Sequence, residues 1–411
     1  MIKWHKCVQL LFHHSSFIIL TFFPISHAAA ATQTFSGATP LEWSVRLADS
    51  QMARATNSPK WDYTMGLFTL SLLKLNEVSP DERFVKFSAD KVGSLISSNG
   101  IQGYKREEFQ LDALNPGKTL LLLWQTVTNH NPEYFYACAE LVRQFETQPR
   151  TFDGGFWHKQ RYTNQMWLDG VYMAEPFYAA MGKYLIDSNR AYDEVAKQIR
   201  LIDEHTYDAK TGLNYHGRDA AKMQPWANPV TGCSSNFWGR ADGWYAMALV
   251  DVLDYFPTNH PARPQIIAAL QKLSMGVLKF QDFRTGLWWQ VMDQGGRPGN
   301  YLEATASAMF VYALAKSVNH GYLSRVYVPA IEKGYAGIVQ NLIIADGEKS
   351  WSLTHCCSVA GLGGSPSNGK YRDGSFDYYC GEPIVKNDLK GIGPFILAGI
   401  EMQQLTASKI R

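Results

Sequence analysis

The stretch NQMWLDGVYMAEPFYAAMGKYLIDS, residues 164–188, runs into NRAYDEVAKQIRLIDEH, residues 189–205. The first is apolar almost all round, with Met166, Trp167, Leu168, Val171, Tyr172, Met173, Phe177 and Tyr178 at mostly helical spacing. The second is amphipathic, with one charged face. A helix apolar all round is surrounded by other helices, and an amphipathic one keeps a face in water. The pair therefore reads as a buried helix backed by a half-exposed one.

The same alternation recurs along the chain. Helical periods are expected over 43–54, 62–76, 82–98, 112–129, 133–147, 163–187, 190–206, 236–256, 262–282, 301–319, 325–345 and 387–405. The second member of each pair is apolar and rich in Gly and Ala, while segments such as DERFVKFSADKVGSLISS and RPQIIAALQKLSMGVLKF carry charged faces. Six buried helices alternating with six half-exposed ones describe an inner ring inside an outer ring. The expected fold is all-α, an (α/α)6 barrel, spanning 32–411 as a single domain. Residues 346–386 form a long Gly/Ser-rich insertion before the last inner helix, and loops of this length are usually functional or mobile.

Composition bounds the rest. The 411 residues are 46% hydrophobic and 13% aromatic, ample for one large core, and the net charge of +2 gives no pull toward nucleic acid or a membrane surface. The aromatic load fits either a large core or a cleft lined by flat rings. Residues 1–31 combine Lys3 and Lys6, a short apolar run and the small-residue exit ISHAAAA. This is the pattern of a secretory signal peptide. An exported protein is expected, periplasmic or extracellular, off the membrane once the leader is removed. Cys138, Cys233, Cys356, Cys357 and Cys380 then remain, an odd number, with pairing of Cys380 to Cys356 or Cys357 left open. His355-Cys356-Cys357 has no second ligand pair at finger spacing, so no metal is expected. No P-loop, GxGxxG, nucleophile elbow or HExxH is present, and no cofactor is expected.

Polar residues collect at the starts of the inner helices: WDY at 61–63, LDALNPG at 111–117, NQMWLDG at 164–170, FWGRADGW at 237–244 and NYLEATASA at 300–308. In a toroid these N-termini meet on one face, where free N–H groups and dipoles favour an anion. Trp61, Tyr63, Trp167, Trp238 and Trp244 would ring that mouth, and Trp288, Trp289 and Gln290 would form a further wall. Asp112 and Asp169 lead the candidates for chemistry, since paired carboxylates facing a sugar serve acid/base work on glycosidic bonds. Asp112 also reads as an N-cap. Asp169 reads as one turn inside its helix, too deep for a cap, leaving a structural carboxylate as the competing reading. Lys159 is a loop cation beside the Asp169 helix, and His216 sits in the loop before the fourth inner helix. Arg240 at a helix start needs an anionic partner, a substrate carboxylate or Asp242. Glu303 reads as a supporting partner or another cap.

Taken together, NQMWLDGVYMAEPF, FWGRADGWYAMALVDVL, GLWWQVMD, NYLEATASAMFVYALAKSVNHGYL and CSVAGLGG resemble glycoside hydrolase family 105, the unsaturated rhamnogalacturonyl hydrolases. Family 88, the unsaturated glucuronyl hydrolases, is a more distant cousin. The resemblance spans about 43–405. It implies the (α/α)6 barrel and an unsaturated uronyl oligosaccharide as substrate, hydrated at its C4=C5 enol ether so that the remaining sugar is expelled. It implies that Asp169 protonates C4 and activates water, that Asp112 assists, and that Tyr63, Lys159, His216, Trp238 and Arg240 bind; Trp61, Trp167 and Trp289 are expected as further aromatic contacts from their placement alone. The apolar setting of Asp169 would then be part of the chemistry, because a fully solvated carboxyl does not hold a proton long enough to give it to an enol ether. Ala241-Asp242 departs from the Gly-Asn that commonly follows WGR in the family. Other unsaturated uronides, a glycan-binding protein on the same scaffold, and a lyase or inverting glycosidase on the same barrel are the competing readings. A monomer is expected.

Overall fold

Helix starts in this protein are set by short polar side chains that satisfy the first free N–H groups. Thr39 and Glu42 form a capping box on α1 (Pro40–Arg54), Asp62 caps α2 (Tyr63–Val78) and Asp81 caps α3 (Glu82–Lys91). The chain continues through α4 (Gly117–Thr126), α5 (Pro132–Thr147), α6 (Leu168–Gly182), α7 (Ser188–Thr206), α8 (Gly239–Val252), α9 (Arg263–Lys279), α10 (Ala304–Asn319), α11 (Val328–Asn341), the short α12 (Phe376–Gly381) and α13 (Leu389–Ala407). This is a computed structural model that describes residues 33–126, 131–185, 187–364 and 371–407. The leader expected over 1–31 lies outside the described residues.

The inner ring is α2, α4, α6, α8, α10 and α13. Each packs on the next, and α13 returns to α2. Outside it α1 lies on α13, α3 on α2, α5 on α4, α7 on α6, α9 on α8 and α11 on α10. The expected (α/α)6 barrel is therefore the fold. Every residue of α8 is buried, and so is α10 from Ala304 to Val318, whereas α3 buries only Phe84 and Ser88. The toroid is filled, not hollow. Tyr172 stacks on Trp244 with centroids 4.8 Å apart, and Lys118 Nζ sits 3.6 Å above the Tyr172 ring. At the C-terminal ends of the inner helices Lys316 is held by Asp251 at 2.8 Å and Asp254 at 2.6 Å. No helix among the described residues is long and apolar enough to cross a membrane.

Several expected helix starts move inward. The helix expected from 163 begins at Leu168. Asn164 takes a left-handed φ of 59°, and Gln165–Trp167 is an extended strand paired antiparallel with Gly217–Asp219. The helix expected from 112 is a 3-10 turn over Leu111–Leu114, and α4 restarts after Pro116, which has no N–H to donate. The helix expected to 98 stops at Lys91, and the chain turns through an Ile96–Ser97/Gly100–Ile101 hairpin. The insertion folds into the Ile343–Ala345/Trp351–Leu353 hairpin, a Cys356–Cys357/Ile384–Val385 pair and α12. All five described cysteines are free, so the pairing of Cys380 with Cys356 or Cys357 is not made. Cys356 Sγ turns to the Thr354 carbonyl and Cys380 Sγ to Asn300.

Candidate active site

The strand at 165–167 changes where Asp169 stands. With α6 starting at Leu168, Asp169 is the second helical residue, in the first turn and not one turn inside. Its side chain is 14% exposed, and Oδ2 lies 3.1 Å from His216 Nε2, in contact but off the alignment of a hydrogen bond. The two loops are fastened together, because the Leu168 N–H donates to the His216 carbonyl at 3.0 Å. Gly170 follows because a Cβ there would sit 2.8 Å from His158 Nδ1. WLDG is thus a strand end, a helix start and a close approach in four residues.

Asp112 is the second carboxylate. It does not cap a helix: Lys159 reaches Oδ2 at 2.6 Å and His158 Nε2 reaches Oδ1 at 3.3 Å. Burial pushes the Asp112 carboxyl up, but Lys159 and then His158 outweigh it and hold the group below the usual carboxylate range. His158 stacks on Trp167 with centroids 4.6 Å apart, and burial brings its imidazole down to about 4, so it is neutral near pH 7. Beside them Tyr63 is kept protonated by burial first and by the Asp112 charge second.

Arg240 opens α8 and is 2% exposed, beneath the mouth and not free in it. Its guanidinium lies 4.6 Å from the Trp238 ring and donates from one terminal nitrogen to the Cys357 carbonyl, while Nε has no partner among the described residues. Burial disfavours its charge, but its surroundings, the Glu303 and Asp388 carboxylates among them, more than restore it. Glu303 fills both expected roles: Oε2 caps α10 through the Ala306 N–H at 2.6 Å, and Oε1 accepts from the Cys357 N–H at 2.8 Å. Asp242 does not pair with Arg240. Its Oδ1 accepts the Asn214 N–H at 3.0 Å, two residues before His216, and burial holds the carboxyl well above its ordinary range.

Among the described residues no group of His, Cys, Asp and Glu is arranged to hold a metal ion. What the mouth offers is two carboxylates, one paired with a cation and one in contact with a histidine, with a buried Arg against the Trp238 ring. The model of Glycosyl Hydrolase Family 88 matches residues 41–406. The solved structure of a family 105 glycoside hydrolase from C. acetobutylicum ATCC 824 superposes with a TM-score of 0.84 at 40% identity, covering 88% of this chain and 99% of that one. The chain belongs to glycoside hydrolase family 105. Protein Atu3128 of Agrobacterium fabrum (strain C58 / ATCC 33970) is 41% identical over 213 residues, 51% of this chain and 89% of that protein. Unsaturated rhamnogalacturonyl hydrolase YesR of Bacillus subtilis (strain 168) is 25% identical over 285 residues, 68% of this chain and 75% of that protein.

The family 105 chain brings Asp112, Asp169, Lys159, His216, Tyr63, Trp167, Trp238 and Arg240 to the N-terminal face of its inner ring. Trp61 stands at its edge, its Nε1 donating to the Ala113 carbonyl at 2.9 Å. Two expected aromatic walls are not brought in: Trp244 packs on Tyr172 within the barrel and Trp288 is buried with its Nε1 on the Val277 carbonyl, while Trp289 is half-buried with its indole against Gly295. Gln290 does enter, bridging Trp238 Nε1 at 3.1 Å and the Tyr379 carbonyl at 2.9 Å. His158 and Tyr379 were not among the expected site residues. For His158 the signal was its place next to Lys159; for Tyr379, on α12 of the insertion, no local pattern marks it.

Proposed function

We propose that this family 105 enzyme removes the unsaturated (4,5-dehydro) galacturonyl residue from the non-reducing end of rhamnogalacturonan lyase products. The observation that carries the reading is the pairing of Asp169 with His216 on the rim that also holds Asp112 and Arg240. The name of the YesR relative supports the substrate. Asp169 gives a proton to C4 of the enol ether. Water adds at C5 and returns a proton to Asp169, so the carboxyl ends as it began. The hemiketal at C5 opens and the rhamnose-ended remainder leaves. Asp112, kept ionised by Lys159, stabilises the positive charge that develops toward C5. Arg240 and the helix N-termini attract the uronate carboxylate. The leader pattern over 1–31 supports a site of action outside the cytoplasm, and the periplasm suits small lyase products.

The test follows the ultraviolet absorbance of the conjugated double bond in unsaturated galacturonyl-rhamnose. The expected result is loss of absorbance with release of rhamnose, and a fall of about 1,000-fold or more in kcat for Asp169→Asn with the fold retained. Unchanged absorbance, or near-normal turnover by the variant, overturns the reading. Loss of absorbance only with unsaturated glucuronyl substrates would move the enzyme to that neighbouring substrate class.

A further inference from the structure

We propose that Tyr379 is a positioning residue that sets the tautomer of His216 and so decides which oxygen of Asp169 exchanges the proton. Tyr379 is fully buried on α12, and its hydroxyl lies 2.7 Å from His216 Nδ1. The ring is fixed by near-parallel stacking on Trp238 at 5.7 Å, and the backbone by the Gln290 hydrogen bond to its carbonyl. Among the described residues the hydroxyl has no other acceptor, so its one proton goes to Nδ1. Burial keeps the phenol protonated.

The rest follows from imidazole chemistry. A neutral ring that accepts at Nδ1 carries its hydrogen on Nε2. Nε2 faces Asp169 Oδ2 at 3.1 Å, and both atoms are shut away from solvent with no other partner. A hydrogen on Nε2 then lies beside Oδ2 but out of line with it, a contact of the kind that tightens once substrate is bound. The 14% exposure of the Asp169 side chain does not lie at Oδ2. Oδ1 bears no hydrogen bond from the described residues and is the oxygen left to meet C4 and then the water. The opposite tautomer would turn an Nε2 lone pair on Oδ2 and draw the proton to the buried oxygen, where it cannot be used. The insertion before α13 thus reaches the reacting carboxyl through one histidine.

This inference rests on the proposed reaction for its kinetic consequence, but the tautomer can be read without it. Tyr379→Phe keeps the ring on Trp238 and removes only the hydroxyl. We expect kcat to fall about 10- to 100-fold with KM within about two-fold, and no further fall when the change is added to His216→Gln. The ring nitrogens of His216, read by nitrogen NMR on histidine-labelled protein, should show hydrogen on Nε2 in the wild type and a mixture in Tyr379→Phe. That spectrum supports the tautomer assignment even if no uronide is turned over. Hydrogen on Nδ1 in the wild type overturns it whatever the activity, as does a Tyr379→Phe enzyme with unchanged kcat.

Discussion

His158 shows how one buried side chain couples the site to pH. It is neutral in the folded protein down to about pH 4, while in the unfolded chain it takes a proton near 6.5. The unfolded state therefore binds the extra proton first, and stability is lost as pH falls from about 6.5 to about 4. The full loss from this group is about 3 kcal/mol. His158→Gln should flatten that part of the curve, measured as the difference in Tm between variant and wild type at each pH. A constant difference from pH 7 to pH 4 would show that His158 is protonated in the fold. At this scale much of the site was legible. Asp112, Lys159, Asp169, His216 and Arg240 are chemically distinct residues beside apolar helix starts, and their clustering follows from the ring. The roles of Asp112 and Asp242 were not legible, because which N–H or cation a carboxylate meets is decided across the fold. Asp242 fastens the Asn214 loop, a contact 28 positions away that no spacing announces.

At the scale of the element, α4 carries an internal conflict. Lys118 is its second residue, buried in the barrel, with no carboxylate bonded to it among the described residues and a 3.4 Å hydrogen bond to the Tyr172 carbonyl. Burial brings its ammonium down to about 7. The unfolded chain is protonated below about 10.5, so the helix loses stability as pH falls from there to about 7 and stays low below it. Lys118→Met should raise Tm most below pH 7, with the gain shrinking toward pH 10. A gain that does not vary with pH would mean the lysine is unshifted and only its packing matters. The twelve helices of the two rings were read correctly in character because apolar and charged faces repeat with clear period, whereas the short α12 of the insertion was not expected. Their starts were misread at 112 and 163. Extended Gln165–Trp167 is as apolar as the helix it enters, and only pairing with Gly217–Asp219 makes it a strand.

For the whole molecule, closure of the ring depends on how closely α13 approaches its neighbours. A Cβ at Gly399 would fall 2.7 Å from the Pro40 carbonyl and on top of Ser44 Oγ, so α1 and α13 touch through backbone. Ser44 Oγ already donates to the Ile396 carbonyl at 3.0 Å across the same seam. Gly399→Leu should push α1 away and lower stability by about 3 kcal/mol, read as a drop in the urea midpoint. An unchanged midpoint would show that the seam yields without cost. The alternation of helix types predicted that the ring closes, whereas the closeness of this seam depends on residues over 350 positions apart.

The plugged interior, where Tyr172 lies on Trp244 under Lys118, has a consequence for how such an enzyme keeps time. Under the proposed function, a site floored by this packing takes the end of a chain and not its middle. Two solutions holding the same mass of uronide, one in short pieces and one in long, would be processed at rates in proportion to their molar count of pieces. The barrel would then pace itself by the enzyme that makes those pieces, its output rising each time a long strand is cut upstream.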